Sequence, residues 1–150
     1  MLNNLKKCLA FMFVAAFVVA GLNFRFSWHS LPDYLIWSGA SIFLLSYLMY
    51  AEVMRENAYL SRTIEVQDNQ KVIDTGLYSI VRHPMYAVTL WLFLAIPLVL
   101  GSWYALIPFA FYPAIIVARL KDEEDLLTRE LPGYEAYKQK VKYRLIPFVY

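Results

Sequence analysis

The sequence predicts an all-α integral membrane protein with about four transmembrane helices, arranged as two helical hairpins. Its 150 residues are 60% hydrophobic and only 17% charged, with a mean hydropathy of +0.45, which is more apolar than a typical soluble domain. The charged residues also leave three long gaps, at residues 8–24, 34–51 and 84–118. A bilayer-spanning helix needs roughly 20 apolar residues, so these gaps are the expected membrane spans.

The first two gaps predict the first hairpin, because each is long enough for one helix. Polar side chains are scarce in residues 1–51, so we interpret this N-terminal hairpin as scaffold. Residues 52–150 are expected to form the cofactor-binding core that carries the chemistry. Together the two parts are expected to make a single membrane domain, residues 1–150.

The third gap is too long for one helix and predicts the second hairpin. Gly101 and Ser102 lie in its middle, between Pro97 and Pro108, and this composition favours a tight turn. The third helix is expected to begin at Pro84, because proline is favoured at the first helical position and keeps the preceding residue out of the helical region.

The basic residues predict the orientation of this topology. With four spans, every Lys and Arg except Arg25 falls on the same side of the membrane. Cytoplasmic loops carry the excess of Lys and Arg, so both termini and the connection between the hairpins are expected in the cytoplasm. The protein is therefore expected to be multi-pass, with its chemistry on the cytoplasmic face.

The cytoplasmic segments carry weaker signals. Residues 63–67 alternate and favour an extended stretch before a turn at Asp68 and Asn69. After the fourth span the pattern predicts two amphipathic helices, interrupted at Pro132 and Gly133. The second of these has an apolar face with Tyr134, Tyr137 and Val141, and a basic face with Lys138, Lys140, Lys142 and Arg144. We expect the basic face to lie against anionic lipid head groups.

Two groups of polar residues predict a binding site. Arg82 and His83 stand beside the N-terminus of the third helix, where free amides and the helix dipole favour an anion such as a carboxylate. Arg119 and Glu123 lie one helical turn apart where the second hairpin returns to the same membrane face. The alternatives are an Arg82 that only reaches lipid phosphate and a solvated Arg119–Glu123 ion pair. Because both groups of polar residues meet at the same membrane face, they favour a pocket for a zwitterion, which carries a carboxylate and an ammonium group.

Several other chemistries lack support in the sequence. It contains neither a G-x-G-x-x-G motif nor a P-loop, so it does not predict a Rossmann nucleotide site or a phosphate cradle. His29 and His83 fall on opposite sides of the membrane, so no metal site is expected. Cys8 has no partner base, no serine occupies a nucleophile elbow, and no nucleic-acid partner is expected.

The segments that contain the predicted binding-site residues resemble those of a known family. "TGLYSIVRHPMY", "RLKDEEDLL" and "GYEAYKQKVKYRLIPF" are similar to the signature of the isoprenylcysteine carboxyl methyltransferase family, which is related to the phospholipid methyltransferases. The resemblance covers about residues 63–148 and implies a multi-span membrane enzyme that uses S-adenosylmethionine. The cofactor contacts it implies, together with Arg82 from the anion site, are Gln67, Gln70, Lys71, Val72, Ile73, Tyr78, Arg82, His83, Pro84, Met85, Tyr86 and Glu123.

The resemblance also implies the reaction, a direct in-line methyl transfer to the carboxylate of a lipophilic, isoprenylcysteine-like acceptor. Arg119 matches the arginine on the acceptor side, and Glu123 is expected to engage the ammonium or ribose of the cofactor. An amine acceptor, as in a phospholipid N-methyltransferase, would need a base, for which Glu124 is the candidate. Two further alternatives remain open: an NADPH-dependent membrane sterol or enone reductase, and a non-enzymatic membrane scaffold.

Overall fold

A computed structural model describes the chain except for Met1, Ala58, residues 60–65 and the side chains of residues 2–6. The predicted extended stretch at residues 63–67 therefore lies largely outside the described residues. The turn that follows it is confirmed, because the Gln70 amide donates to the Gln67 carbonyl oxygen at 3.0 Å and Asn69 adopts a left-handed φ of 59°.

The described part of the chain is all-helical, as predicted, and contains no strand beyond an isolated bridge between Ser30 and Ser102. A single-turn 3-10 helix, Gly76–Ser79, precedes the third long helix. The α-helices in chain order are α1 Leu2–Arg25, α2 Asp33–Glu56, α3 Pro84–Val99, α4 Leu106–Phe109, α5 Tyr112–Glu130 and α6 Tyr134–Lys140.

Helices α1 and α2 are long and apolar enough to cross a membrane. Each has 24 residues and is about 36 Å long, against a hydrocarbon core of roughly 30 Å. Most of their apolar side chains are not packed inside the protein, as Phe11 on α1 and Trp37 on α2 illustrate with exposed fractions of 76% and 73%. Exposed apolar faces of this length fit lipid better than water, which agrees with the predicted first pair of spans.

Helix α3 begins at Pro84, as the sequence predicts, and its 16 residues extend about 24 Å. The predicted break follows it, because Gly101 adopts a left-handed φ of 65°. The chain beyond the break is not one helix, since the four-residue α4 ends before α5 begins at Tyr112. Among the described residues, two helices thus combine the length and the apolar composition of a full span, and the four-span topology stays a prediction.

The described contacts divide the chain into two units. The first, Met1–Tyr47 with Thr89–Ile115, has an aromatic core in which Phe13 packs edge-on against Phe93 and Phe109 at centroid distances of 4.9 and 5.3 Å. The second comprises Leu48–Val88 and Ile116–Tyr150. Its core holds two buried clusters, one of Leu127, Leu131, Tyr134, Tyr137 and Val141 and the other of Val53, Tyr78 and Val88. These boundaries cut through α2, α3 and α5, and the division into a hairpin and a cofactor-binding core at residue 51 stays a prediction.

Candidate functional site

The second unit contains a cleft of about 810 Å³, including the part open to solvent. Its lining combines charged, apolar and aromatic side chains: Asn57, Tyr59, Gln70, Lys71, Val72, Ile73, Tyr78, Arg82, His83, Met85, Tyr86, Glu123, Leu126, Leu127, Leu131, Tyr134 and Tyr137. The cleft is therefore suited to a ligand that has both polar and aromatic parts.

Behind the cleft lies a buried ionic cluster centred on Glu124. Arg82 Nε donates to Glu124 Oε1 at 2.6 Å, and His83 Nε2 lies 3.3 Å from the same oxygen. Arg144 Nε donates to the other oxygen, Oε2, at 2.8 Å. Since the side chains of Arg82, His83 and Glu124 are each less than a tenth exposed, their charges and dipoles interact with little screening by water.

The pKa of Glu124 reflects this cluster. Burial alone would raise the pKa, but the hydrogen bonds from His83 and Arg82 outweigh burial and lower it from the ordinary 4.5 to about 2. A carboxylate this acidic and this fully engaged is a poor proton acceptor at neutral pH. The structure thus engages Glu124 with cationic partners, and a role as base stays a prediction.

The segment before α3 is held by the end of the chain. The backbone amides of Arg82 and His83 donate to the carbonyl oxygens of Tyr143 and Arg144, each at 2.9 Å. The Arg82 guanidinium also donates to the carbonyl oxygens of Val141 and Lys142 at 2.8 and 2.9 Å. These bonds fix the entry into α3, so His83 and the first turn of the helix are held at the cleft.

Two predictions about basic side chains are corrected by these contacts. Arg82 is only 8% exposed, so the alternative in which it extends to lipid phosphate is wrong. Arg144 was expected on a lipid-facing basic surface, but its guanidinium lies on Glu124 instead. Lys138 pairs with Glu135 at 3.2 Å and Lys140 with Asp74 at 2.7 Å, both near the surface. The attraction between Arg144 and Glu124 is stronger than one between two solvated charges, because little water screens the buried carboxylate.

Glu123 faces the opposite way from its neighbour Glu124 and contacts the cleft. Its carboxylate accepts a hydrogen bond from the Tyr86 phenol, and Arg119 Nε donates to the same phenol oxygen at 2.9 Å. The Tyr86 ring stacks on His83 with a centroid distance of 5.7 Å. Tyr86 therefore links the two residues that the sequence assigned to the cofactor and the acceptor.

A further wall of the cleft is built around Tyr78. Its hydroxyl accepts a hydrogen bond from Asn57 Nδ2 at 2.8 Å, and its carbonyl oxygen accepts one from the Tyr137 hydroxyl at 2.7 Å. Burial raises the pKa of the Tyr78 phenol to about 12, so it stays protonated. The short helix carrying Tyr78 is held by Glu56, whose carboxylate accepts from the Leu77 amide at 3.1 Å.

The structure brings most of the predicted cofactor residues together at this cleft, including the whole Gln70 to Ile73 stretch. The described lining does not include Gln67, Pro84, Arg119 or Glu124. Gln67 shapes the neighbouring turn, since its side-chain amide donates to the Tyr59 carbonyl oxygen at 3.1 Å and its backbone amide donates to Gln70 Oε1 at 2.9 Å. Pro84 acts through the start of α3.

Sequence reasoning missed several lining residues. Asn57 and Tyr59 follow the end of α2 and were not among the predicted site residues. Tyr134 and Tyr137 were assigned to an apolar helix face, which is correct, but that face also lines the cleft. Among the described residues no three His, Cys, Asp or Glu side chains lie close enough to hold a metal ion.

Apolar helices of membrane-spanning length point to an α-helical membrane protein, and its second unit contains this cleft. The chain matches the Isoprenylcysteine carboxyl methyltransferase (ICMT) family over residues 39–129, well over half of its length, and it belongs to this family. It is also similar to the Delta(14)-sterol reductase TM7SF2 of Mus musculus, with 32% identity over 91 residues. That alignment covers 59% of this chain but only 22% of the reductase, so the chain spans about a fifth of that protein's length.

Proposed function

We propose that this protein is an S-adenosylmethionine-dependent membrane methyltransferase that O-methylates the carboxylate of a lipophilic, isoprenylcysteine-like acceptor by direct in-line transfer. Family membership supports methyl transfer at a membrane. The observation that carries the proposal is the cleft, where the Gln70 to Ile73 stretch, His83 and Glu123 line one space.

The lining fits the chemistry of S-adenosylmethionine. Tyrosine rings on several sides offer stacking surfaces for a nucleoside, and Val72, Ile73 and Leu127 add apolar area. Glu123 is 27% exposed and would hold the ammonium group of the cofactor. The cleft therefore offers aromatic and apolar contacts for the nucleoside part of the cofactor and a carboxylate for its ammonium group.

Bound S-adenosylmethionine supplies an already activated methyl group, so the residues of the chain mainly have to position the reactants and exclude water. Arg119 would hold the acceptor carboxylate, and Tyr86 orients its guanidinium through the bond to Nε. Because Tyr86 also bonds Glu123, one side chain connects the acceptor side with the cofactor side.

A carboxylate acceptor suits this site better than an amine acceptor. A carboxylate is ionised at neutral pH and needs no base, whereas an amine has to lose a proton during transfer. Glu124, the candidate base, is held by Arg82, His83 and Arg144 and has its pKa lowered to about 2. The N-methyltransferase alternative is thus less well supported.

The proposal places the cleft at the cytoplasmic surface of a multi-pass protein. Helices α1 and α2 would form the first pair of spans, and α3 with the α4–α5 segment would form the second. The distribution of Lys and Arg supports cytoplasmic termini. A lipophilic acceptor would then reach the site from the bilayer, with membrane lipids as neighbours.

A second candidate, an NADPH-dependent sterol reductase, is favoured by the similarity to the mouse reductase. Such an enzyme has to bind the phosphates of its cofactor, which calls for several available cations. In the described lining of the cleft, Lys71 is accompanied by Arg82, whose charge is already met by Glu124. This lining supports the dinucleotide less well than it supports S-adenosylmethionine.

One binding experiment tests the proposal. Protein purified in detergent is titrated with S-adenosylmethionine and, separately, with NADPH. We expect saturable binding of S-adenosylmethionine that weakens at least about tenfold in His83→Ala and Glu123→Ala, since each variant removes a polar side chain of the cleft. Arg119→Ala is the contrasting variant and should retain cofactor binding while losing acceptor affinity.

The possible results separate the candidates. Binding of NADPH alone would favour the reductase. Binding of neither by folded protein would favour the scaffold and contradict the proposal. If Arg119→Ala abolished cofactor binding and left acceptor affinity unchanged, the assigned roles of Arg119 and Glu123 would be wrong.

A further inference from the structure

The second unit contains a buried polar group, the hydroxyl of Tyr134, whose hydrogen bonding is not satisfied by the described residues. Tyr134 is 4% exposed, and its hydroxyl is buried without a hydrogen-bond partner among the described residues. Its ring lines the cleft beside Val72 and Leu131. A phenol usually finds a partner when it is buried, so this one calls for a reason.

Tyr137, one helical turn further along α6, provides a comparison within the same cluster. It is 5% exposed, its ring centroid lies 5.8 Å from that of Tyr134, and it also lines the cleft. Its hydroxyl, however, donates to the Tyr78 carbonyl oxygen at 2.7 Å. The fold therefore supplies a hydrogen-bond partner for the Tyr137 hydroxyl, but among the described residues it supplies none for the Tyr134 hydroxyl.

Burying an unbonded hydroxyl costs free energy that phenylalanine at the same position would avoid. We propose that Tyr134 is a cofactor-binding residue, whose hydroxyl donates a hydrogen bond to an acceptor atom of S-adenosylmethionine when the cofactor enters the cleft. This inference rests on the proposed function and adds a residue to its binding site. Because the hydroxyl has almost no accessible surface, the lining has to shift slightly as the cofactor binds.

The surroundings of Tyr134 agree with a donor role. Burial, followed by the nearby Glu124 carboxylate, raises the pKa of the Tyr134 phenol above its usual range. The phenol therefore keeps its proton at neutral pH. Gly133, which precedes α6, adopts a left-handed φ of 86° that sets the direction in which the helix leaves the turn and places Tyr134 in the core cluster.

Two matched variants test this inference, Tyr134→Phe and Tyr137→Phe. For each, S-adenosylmethionine binding is measured by calorimetry and thermal unfolding is measured without ligand. We expect Tyr134→Phe to bind about three- to tenfold more weakly while its ligand-free melting temperature is unchanged or raised. Tyr137→Phe should instead melt about 2 to 4 °C lower, because it loses an internal hydrogen bond.

The other outcomes separate a failure of this inference from a failure of the proposed function. If Tyr134→Phe binds the cofactor as tightly as wild type, or melts as low as Tyr137→Phe without ligand, the inference is overturned and the proposed function stands. If wild-type protein binds no S-adenosylmethionine, the proposed function fails first, and the inference fails with it.

Discussion

Replacing Glu124 by glutamine tests whether the buried ionic cluster holds the second unit together. Glutamine keeps the size of the side chain but removes the charge that Arg82 and Arg144 contact at 2.6 and 2.8 Å. The pKa of Glu124, lowered from 4.5 to about 2, corresponds to about 3 kcal/mol of stabilisation at neutral pH. Breaking a buried ion pair by removing one partner typically costs a similar amount, about 3 to 5 kcal/mol.

The assay is thermal unfolding of detergent-purified protein at pH 7, followed by circular dichroism of the helices. A loss of about 3 kcal/mol should lower the melting temperature by roughly 6 to 12 °C for a chain of this size. Glu123→Gln is the matched control, since the Glu123 side chain is 27% exposed and its carboxylate bonds Tyr86. We expect this variant to lose no more than about 1 kcal/mol in free energy of unfolding.

The pH dependence gives a second readout with a defined sign. Because the folded pKa of Glu124 is lowered, its contribution is complete above about pH 4.5 and is lost as the pH falls towards 2. The stability difference between wild type and Glu124→Gln should therefore shrink over that window. Equal melting temperatures for wild type and Glu124→Gln at pH 7, or an equal loss in both variants, would refute the assignment.

Two further predictions concern the frame of the cleft. Gly76→Ala should destabilise the protein by about 1 to 2 kcal/mol in chemical unfolding, because Gly76 has a φ of 49° and an added Cβ would collide with the Glu56 carboxylate. Gly21→Ala, where a Cβ meets nothing within 4 Å, should show no such loss, and an equal effect in both would contradict the explanation. Tyr86→Phe should weaken acceptor binding about three- to tenfold in equilibrium titrations, because it removes the hydroxyl that accepts a hydrogen bond from Arg119 Nε. Unchanged acceptor affinity would show that Tyr86 does not position Arg119.

The sequence predicted the features that depend on local signals. The start of α3 at Pro84 and the break at Gly101 followed from backbone preferences that act within a few residues. The two helices of spanning length, α1 and α2, followed from uncharged runs whose length matches the bilayer. The same reasoning missed the interruption between α4 and α5, where Pro108 and Pro113 lie close to the ends of both helices.

The candidate site was predictable mainly through the resemblance to a family. Local spacing shows that Arg119 and Glu123 share a helix face, but a phenol from α3 joins them, and Tyr86 was assigned only as a cofactor contact. Asn57 carried no signal at all, because its contact with Tyr78 spans 21 residues of sequence. Contacts of that kind depend on how the chain returns on itself rather than on any nearby pattern.

By itself, the sequence determined that the chain is helical and apolar, that a helix begins at Pro84 and that the chain breaks near Gly101. Only the tertiary structure decided that Glu124 faces the buried cations while its neighbour Glu123 faces the cleft. It also decided that Tyr137 has a partner and that the Tyr134 hydroxyl has none among the described residues. The physical reason is that hydropathy and backbone preference act locally, whereas the partner of a buried polar group comes from distant parts of the chain.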